Sequence, residues 1–376
     1  MPEAEQVAAL LATLRTVNEA ANWVSTVAFE QGVPREYELR KHTYAELKSR
    51  GLGAQAAQHT IKKVRDAYTT LKANIKAGNL GKPGSKRRRK AESKPIAFRP
   101  EAAQPYDDRC LSWQYDAQTV SIWTTAGRIR GMRFICSADG LKMLRQHRQG
   151  ESDLMERNGV FYLIATCEVP EEKRYEPDGF IGVDLGIVNI ATTSTGYQAA
   201  GRDLNRHRKR HGDLRTKLQR KGTKSAKRLL KKRNRRERRH VSNTNHIIAK
   251  TIVTEAERTS AGIALEDLGG IRQRVRLRKP QRVILHSWAF AQLGESIAYK
   301  ARRAGVPVVH VNPAYTSQMC CECGHVDKKN RVDQDLFICR SCGVVAHADR
   351  NASHNIAQRG AVVWNAGRES RVPATP

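Results

Sequence analysis

The sequence is short of negative charge. Its 67 lysines and arginines face only 37 aspartates and glutamates, a formal net charge of +30 over 376 residues. That imbalance repels itself unless a polyanion is bound, which points to nucleic acid rather than to a merely soluble basic protein. Long apolar runs are missing, and so is a signal peptide, so we expect no membrane partner and a cytoplasmic location. Cysteine is sparse outside one place. Cys110, Cys136 and Cys167 are scattered and read as buried thiols of a reducing compartment. The other five of the eight cysteines fall between 320 and 342, a crowding that argues for a metal rather than disulfides. What is present in quantity is apolar residue, 39% of the chain, enough for real cores, and a length that suggests more than one domain.

The organising stretch is IGVDLGIVNI, residues 181–190. An apolar run of this length, bounded by turn signals, reads as a buried strand. Asp184 stands in its middle, and a buried carboxylate is costly unless something neutralises it. A bound cation would do so, and Gly182 and Gly186 would leave room for a metal or phosphate to approach the backbone. The alternative is a strand-end aspartate capping a turn.

Residues 1–78 read as helical. Leu10, Leu14, Val17, Ala21, Val24 and Ala28 recur at three- and four-residue steps, and Pro34 interrupts. A second piece, YAELKSR, ends at Gly51. A third ends at Gly78, with Ile61, Val64, Tyr68, Leu71 and Ile75 facing one way. Its basic face, with Lys62, Lys63, Arg65 and Lys72, is expected to meet phosphate. Residues 79–95 mix Gly, Pro and Ser with the run Arg87, Arg88, Arg89, and read as a linker without a core of its own. From 96 to 178 the composition turns β-branched and aromatic, broken by turns such as Asn158-Gly159, which predicts antiparallel strands and a small barrel. Trp113, Trp123, Phe134 and Tyr162 are expected in its core. Residues 202–239 are dense in Arg and Lys, with only Asp203, Asp213 and Glu237 to balance them. They predict a helical pair turning near Lys221-Gly222 and facing nucleic acid. The residues expected to do so are Arg208, Lys209, Arg210, Arg220, Lys221, Lys231, Lys232, Arg235 and Arg236, together with Lys62, Arg65 and the 87–89 run. TNHIIAKTIVTEAERT continues as an amphipathic helix. AGIALEDLGGI is a second buried strand, on which Glu266 and Asp267 must point to opposite faces, so only one can meet Asp184. VRLRKPQ is a basic loop, HSWAFAQLGESIAYKARRAG a helix and VPVVHVN a third strand, an α/β pattern.

Cys320, Cys323, Cys339 and Cys342 give C-x2-C, fifteen residues, C-x2-C. Two thiolates three apart on each knuckle fit tetrahedral zinc, and Cys321 is spare. With four thiolates no water position is left, so the zinc would be structural. Soon after comes Asp349, opening a helix. A third acid delivered beside a braced loop suggests a site made of Asp184, Glu266 and Asp349. Hard carboxylates with no nearby Cys or His favour Mg2+ or Mn2+.

Together these motifs resemble the RuvC-type nucleases of the TnpB (OrfB) family, encoded by insertion sequences and taken as ancestors of type V CRISPR effectors. GVDLGIVNIAT resembles the first RuvC motif, ALEDLGGI the second and DRNASHNIA the third. TSQMCCECG with FICRSCG resembles the family's zinc-bearing segment, and NEAANWVSTVAFE its N-terminal helical part. The resemblance implies an α+β multidomain fold: a helical recognition domain (1–78), a basic linker (79–95), a wedge β-barrel (96–178) and an RNase H-like α/β nuclease domain (179–376). The nuclease domain would carry the basic helical pair at 202–258 and a zinc-binding insertion at 314–346. It implies Asp184, Glu266 and Asp349 as catalytic acids holding two Mg2+, and Cys320, Cys323, Cys339 and Cys342 as ligands of one Zn2+. It implies an RNA-guided DNA endonuclease of a transposon, a monomer working with a noncoding guide RNA on double-stranded DNA beside a short flanking motif. Arg350 would be near the scissile phosphate. Family members often have an extra strand before the first helix, and its absence here implies a barrel one strand short. The rival readings are a guided repressor that no longer cuts and a transposase, or its accessory, that joins DNA ends.

Overall fold

The computed structural model describes residues 2–32, 35–267 and 290–369. The basic loop expected at 275–281, the first residues of the helix expected from 286 and Pro34 lie outside the described residues. The chain separates into two compact units, 1–169 and 170–376. Among the described residues, no helix is long and apolar enough to cross a membrane.

The first unit opens with α1 (Ala4–Glu30), α2 (Glu36–Ser49) and α3 (Ala54–Lys76). The predicted stripe on α1 is buried along its whole length, and Val17, Val24, Leu39, Leu47, Ile61 and Val64 share one apolar cluster. Helix α2 starts about two turns earlier than the YAELKSR stretch. The linker contains a short helix, α4 (Lys86–Glu92), capped by Ser85 and with no buried residue, so it has no core, as its composition indicated.

Strands β1 (Gln104–Tyr106), β2 (Leu111–Gln114), β3 (Thr119–Thr124), β4 (Gly127–Arg133), β5 (Arg148–Arg157) and β6 (Val160–Cys167) follow, with α5 (Ala138–His147) between β4 and β5. Asn158 and Gly159 both take positive φ, 56° and 79°, and close the β5–β6 hairpin. The strands do not form one hydrogen-bonded cylinder among the described residues. They make two three-stranded sheets, β1-β5-β6 and β2-β3-β4, and α5 lies in the chain between β4 of one and β5 of the other. Tyr106, Leu111, Ile122, Met132 and Leu154 from both sheets still share one core. Of the aromatics expected there, Trp113, Trp123 and Phe134 pack against it, but Tyr162 is 45% exposed on the β6 edge. Of the scattered thiols only Cys110 is buried; Cys136 and Cys167 are partly exposed.

The second unit is built on a five-stranded sheet ordered β11-β10-β7-β8-β9, with β7 (Phe180–Asp184), β8 (Asn189–Thr193), β9 (Gln198–Ala200), β10 (Gly262–Glu266) and β11 (Val308–Val311). Strand β10 lies parallel between β7 and β11, whereas β8 and β9 run antiparallel. The parallel centre is covered on both faces, which is why its strands read as unbroken apolar runs. Ile181, Val183, Ile263 and Leu265 point into one core with α7 (Lys224–Arg258) and α8 (Phe290–Arg303). Each such burial contributes about 1.5–3 kcal/mol. The alternate residues face α9 (Ala348–Glu369), which lies across β7, β10 and β11.

Helix α6 (Arg202–Lys221) pairs with α7 through a turn at Gly222, which takes the left-handed conformation. The expected pair and the amphipathic helix after it are in fact continuous: α7 runs unbroken for 35 residues. Its second half buries Asn245, Ile248, Ala249, Ile252, Val253 and Ala256, while its first half buries only Ala226. The cysteine segment adds a small hairpin, β12 (Leu336–Ile338) with β13 (Val345–His347).

Candidate active site and metal centre

Strand register sets the first two acids. Val183 lies opposite Leu265 in the parallel β7–β10 ladder, so Asp184 and Glu266 come next, level with each other at the strand ends. Alternation puts both on the face covered by α9, since their neighbours Val183 and Leu265 fill the opposite core. Glu266 is half-buried, whereas Asp267, one residue on, is exposed. Asp349 arrives from above, in the first turn of α9 and 5% exposed. It stands inside the helix rather than at its cap, where the positive end of the helix dipole favours a carboxylate.

Three elements thus bring Asp184, Glu266 and Asp349 to one end of the sheet. Asp184 registers the crowd: loss of hydration first, then the charges of Glu266 and Asp349, push its carboxyl up to about 8, and Arg331 opposes them. Glu266 is also raised, chiefly by burial, against the pull of a hydrogen bond from Thr316 and of the charge on Arg359. The pocket therefore carries more negative charge than its surroundings settle, which is the condition that favours a bound cation.

The acids are held by polar partners that the sequence reading did not single out. Thr316 Oγ1 donates to Glu266 Oε1 at 2.6 Å. Arg331 Nη2 donates to Asp349 Oδ1 at 3.1 Å, and Asn189 Nδ2 donates to Asp349 Oδ2 at 2.9 Å. Arg350, expected near the reacting phosphate, is exposed; the cation on Asp349 is Arg331. Asn189 lies in GVDLGIVNIAT and Thr316 in TSQMCCECG, yet only their neighbours carry a recognised chemistry. Arg331 is one of 67 basic residues, and nothing in its spacing marks it out.

The glycines of the first motif serve another purpose than the one expected. A Cβ on Gly182 would lie 1.9 Å from Ser353 O and 2.4 Å from Ala357 N, both backbone atoms of α9. A Cβ on Gly186 would lie 2.6 Å from Asn189 O. The space is filled by the protein's own backbone, not reserved for a ligand.

The four predicted cysteines come together. Their sulfurs all lie within 4.8 Å of one another, with Cys320–Cys342 at 3.7 Å and Cys323–Cys339 at 3.6 Å. A tetrahedron with Zn–S bonds of about 2.3 Å has edges of about 3.8 Å, so the cluster could hold zinc. Backbone N–H groups of Cys342 and Ser341 point at Cys339 Sγ and help bring that thiol down to about 6, toward the thiolate a metal needs. Cys321 is outside the cluster, as its spacing indicated. Among the described residues this is the group of ligand atoms that closes to 4.8 Å; the three carboxylates stand further apart than that.

Of the residues expected to meet nucleic acid, those on the α6–α7 pair are exposed except Arg208, which is half-buried. Arg87 and Arg89 are exposed too, while Arg88 pairs with Glu92 at 2.9 Å. Lys62 and Arg65 are engaged within their own unit, Lys62 with Glu151 at 2.6 Å and Arg65 with Glu36 at 3.0 Å.

The segment that supplies Thr316, Arg331, the cysteines and Asp349 has known counterparts. A family profile described as "Cas12f1-like, TNB domain" matches residues 290–356. The TnpB-like protein MJ0751 of Methanocaldococcus jannaschii is 33% identical over 265 residues, which is 66% of this chain and 93% of that protein. The chain belongs to the TnpB-like family. It is also 31% identical over 222 residues to the CRISPR-associated endodeoxyribonuclease Cas12f1 of Sulfoacidibacillus thermotolerans, covering 54% of this chain and 51% of that one. A protein of Escherichia coli K12 with the provisional name RNA-guided DNA endonuclease InsQ is 29% identical over 227 residues, 56% of each chain. The chain thus spans about half the length of the Cas12f1 and InsQ relatives, and nearly all of its TnpB-like one.

Proposed function

We propose that this TnpB-like chain is an RNA-guided DNA endonuclease of the RuvC type, with an RNase H-like nuclease domain in its second unit. The observation that carries the proposal is the meeting of Asp184, Glu266 and Asp349 at one end of the sheet, with Asp184 raised to about 8 by its own neighbours. The names of its relatives, an endodeoxyribonuclease and an RNA-guided DNA endonuclease, support the same reading.

The three carboxylates would hold divalent ions, Mg2+ by the hardness of the donor set. When bound, such ions supply Lewis acidity for water activation and for the departing 3′ oxygen. The protein's part is to position. Thr316 fixes the face that Glu266 presents, Asn189 and Arg331 fix Asp349, and α9 shuts the pocket from above. The thiolate cluster would hold one structural Zn2+ and brace the segment from which Thr316 and Arg331 project. Sequence would be read by base pairing to a guide RNA, with the exposed α6–α7 face and Arg87 and Arg89 neutralising phosphates. We assign the recognition, linker and wedge roles to 1–78, 79–95 and 96–178, and place the protein, as a monomer with its RNA, in the cytoplasm.

The test is purification with its native RNA, sequencing of what copurifies, and cleavage of a matched duplex in Mg2+. A defined RNA with a variable end, and cutting that vanishes in Asp184→Ala while RNA binding stays, is the expected result. Undiminished cutting by Asp184→Ala would overturn the assignment, and joined transposon ends would favour a transposase.

A further inference from the structure

The thiolate module reaches the acid pocket at two places, through Arg331 on Asp349 and through the buried hydroxyl of Thr316 on Glu266. Thr316 is 4% exposed and lies four residues before Cys320. Its Oγ1 is 2.6 Å from Glu266 Oε1 and 3.1 Å from Pro313 O, and one hydroxyl proton serves only one acceptor at a time. The shorter contact to a carboxylate is the stronger. As a β-branched residue, threonine has few χ1 choices, so a fixed backbone fixes the hydroxyl.

That backbone is fixed with unusual thoroughness. Asn355 Nδ2 donates to Thr316 O at 2.9 Å and to Met319 O at 2.7 Å. Asn351 Nδ2 donates to Met319 O at 2.7 Å, and its Oδ1 accepts from Cys321 N at 3.0 Å. Arg359 Nη1 reaches Asn312 O at 2.6 Å and Ala314 O at 2.8 Å. Asn351 and Asn355 are 1% and 0% exposed, and both stand on α9, the helix that carries Asp349 in its first turn. The chain between Glu266's partner and the first zinc-type knuckle is therefore clamped to the same helix that presents the third acid.

We propose that Thr316 is a positioning residue for Glu266, through which the four-cysteine module sets how tightly the acid pocket binds a divalent cation. The proposal rests on the acid-pocket reading above. With one oxygen of Glu266 held by Thr316, the other is left to meet a cation. Without the hydroxyl that carboxylate oxygen is unheld and the side chain can turn. Outer hydrogen-bond partners of ligating carboxylates change metal affinity by about 10- to 100-fold when removed.

The experiment is titration of the full-length protein with Mn2+, bound ion being read by electron paramagnetic resonance and zinc content measured in parallel. Thr316→Val should weaken the Mn2+ site by about 10- to 100-fold at unchanged zinc content, and Thr316→Ser should return it close to the parent. Parental Mn2+ affinity in Thr316→Val, with the site abolished in Asp184→Asn, would overturn the coupling alone. Parental binding in Asp184→Asn would overturn the acid pocket itself, and the coupling with it. Equal weakening in the Val and Ser variants would overturn the hydroxyl's role.

Discussion

Gly182 lies so close beneath α9 that a Cβ there would sit 1.9 Å from the carbonyl oxygen of Ser353. Both atoms belong to regular elements with no flexible tip to give way. Gly182→Ala should therefore cost more than the usual overpacking penalty of about 1–3 kcal/mol. Gly179→Ala, where nothing lies within 4 Å, should change stability by no more than about 0.5 kcal/mol. Denaturant midpoints for the two variants check the contrast, and equal effects would mean that α9 does not seat on β7 this way.

The raised carboxyl of Asp184 makes stability depend on pH. An acid whose folded pKa lies above its unfolded value binds more protons when folded, so its contribution falls as pH rises between the two values. Here that window runs from about 4 to about 8, in the absence of divalent ions. Asp184→Asn should then be more thermostable than the parent at pH 8, with the gap closing toward pH 4. The gain should be several degrees, because 1 kcal/mol moves the midpoint of a domain this size by about 2–4 °C. Melting curves in a chelating buffer at three pH values test it.

The charge on Arg331 opposes the upward push on the Asp184 carboxyl. Arg331→Gln should raise that carboxyl further, so the pH at which Mn2+ begins to bind should move upward, by about one unit. Binding isotherms at several pH values read this directly, and an unmoved midpoint would show that Arg331 serves Asp349 alone.

Removal of the thiolate-bound metal should be felt as unfolding. We expect one zinc per chain, its release by a chelator at high concentration to lower the melting midpoint of the second unit, and Cys339→Ser to lose the metal. Cys321→Ser, outside the cluster, should keep it. Zinc analysis beside calorimetry decides.

Replacement of Lys231, Lys232 and Arg236 by glutamine should flatten the salt dependence of RNA binding. Each lost phosphate contact removes about 0.7–0.9 from the slope of log K against log salt, so the change should be about 2–3. An unchanged slope would turn this exposed face away from nucleic acid.

Much of this was legible because it is periodic. The α1 stripe, and the limit that only one of Glu266 and Asp267 can meet Asp184, follow from spacings of about 3.6 and 2 residues, and the Asn158-Gly159 hairpin follows from its turn residues. The thiolates were legible because cysteine is rare and its knuckle spacing is constrained by the ion. What escaped depends on chain segments far apart. Gly182 was assigned to a ligand because its true neighbours, Ser353 and Ala357, lie more than 170 residues away. The division of the strands into two three-stranded sheets escaped too, because which strand edges pair is settled between segments that no local pattern links. Thr316, Asn189 and Arg331 are ordinary residue types, and only their aim at a carboxylate distinguishes them.

Helix α7 carries its own mechanical consequence. At about 1.5 Å per residue its 35 residues span roughly 52 Å. One end is sunk in the sheet's core, and the other projects from it paired with α6 and coated with cations. With α6 folded back along it, the projecting half is a stiff strut rather than a loose arm, and because α7 is unbroken a load on the cationic hairpin would pass straight to the layer that bears Asp184 and Glu266.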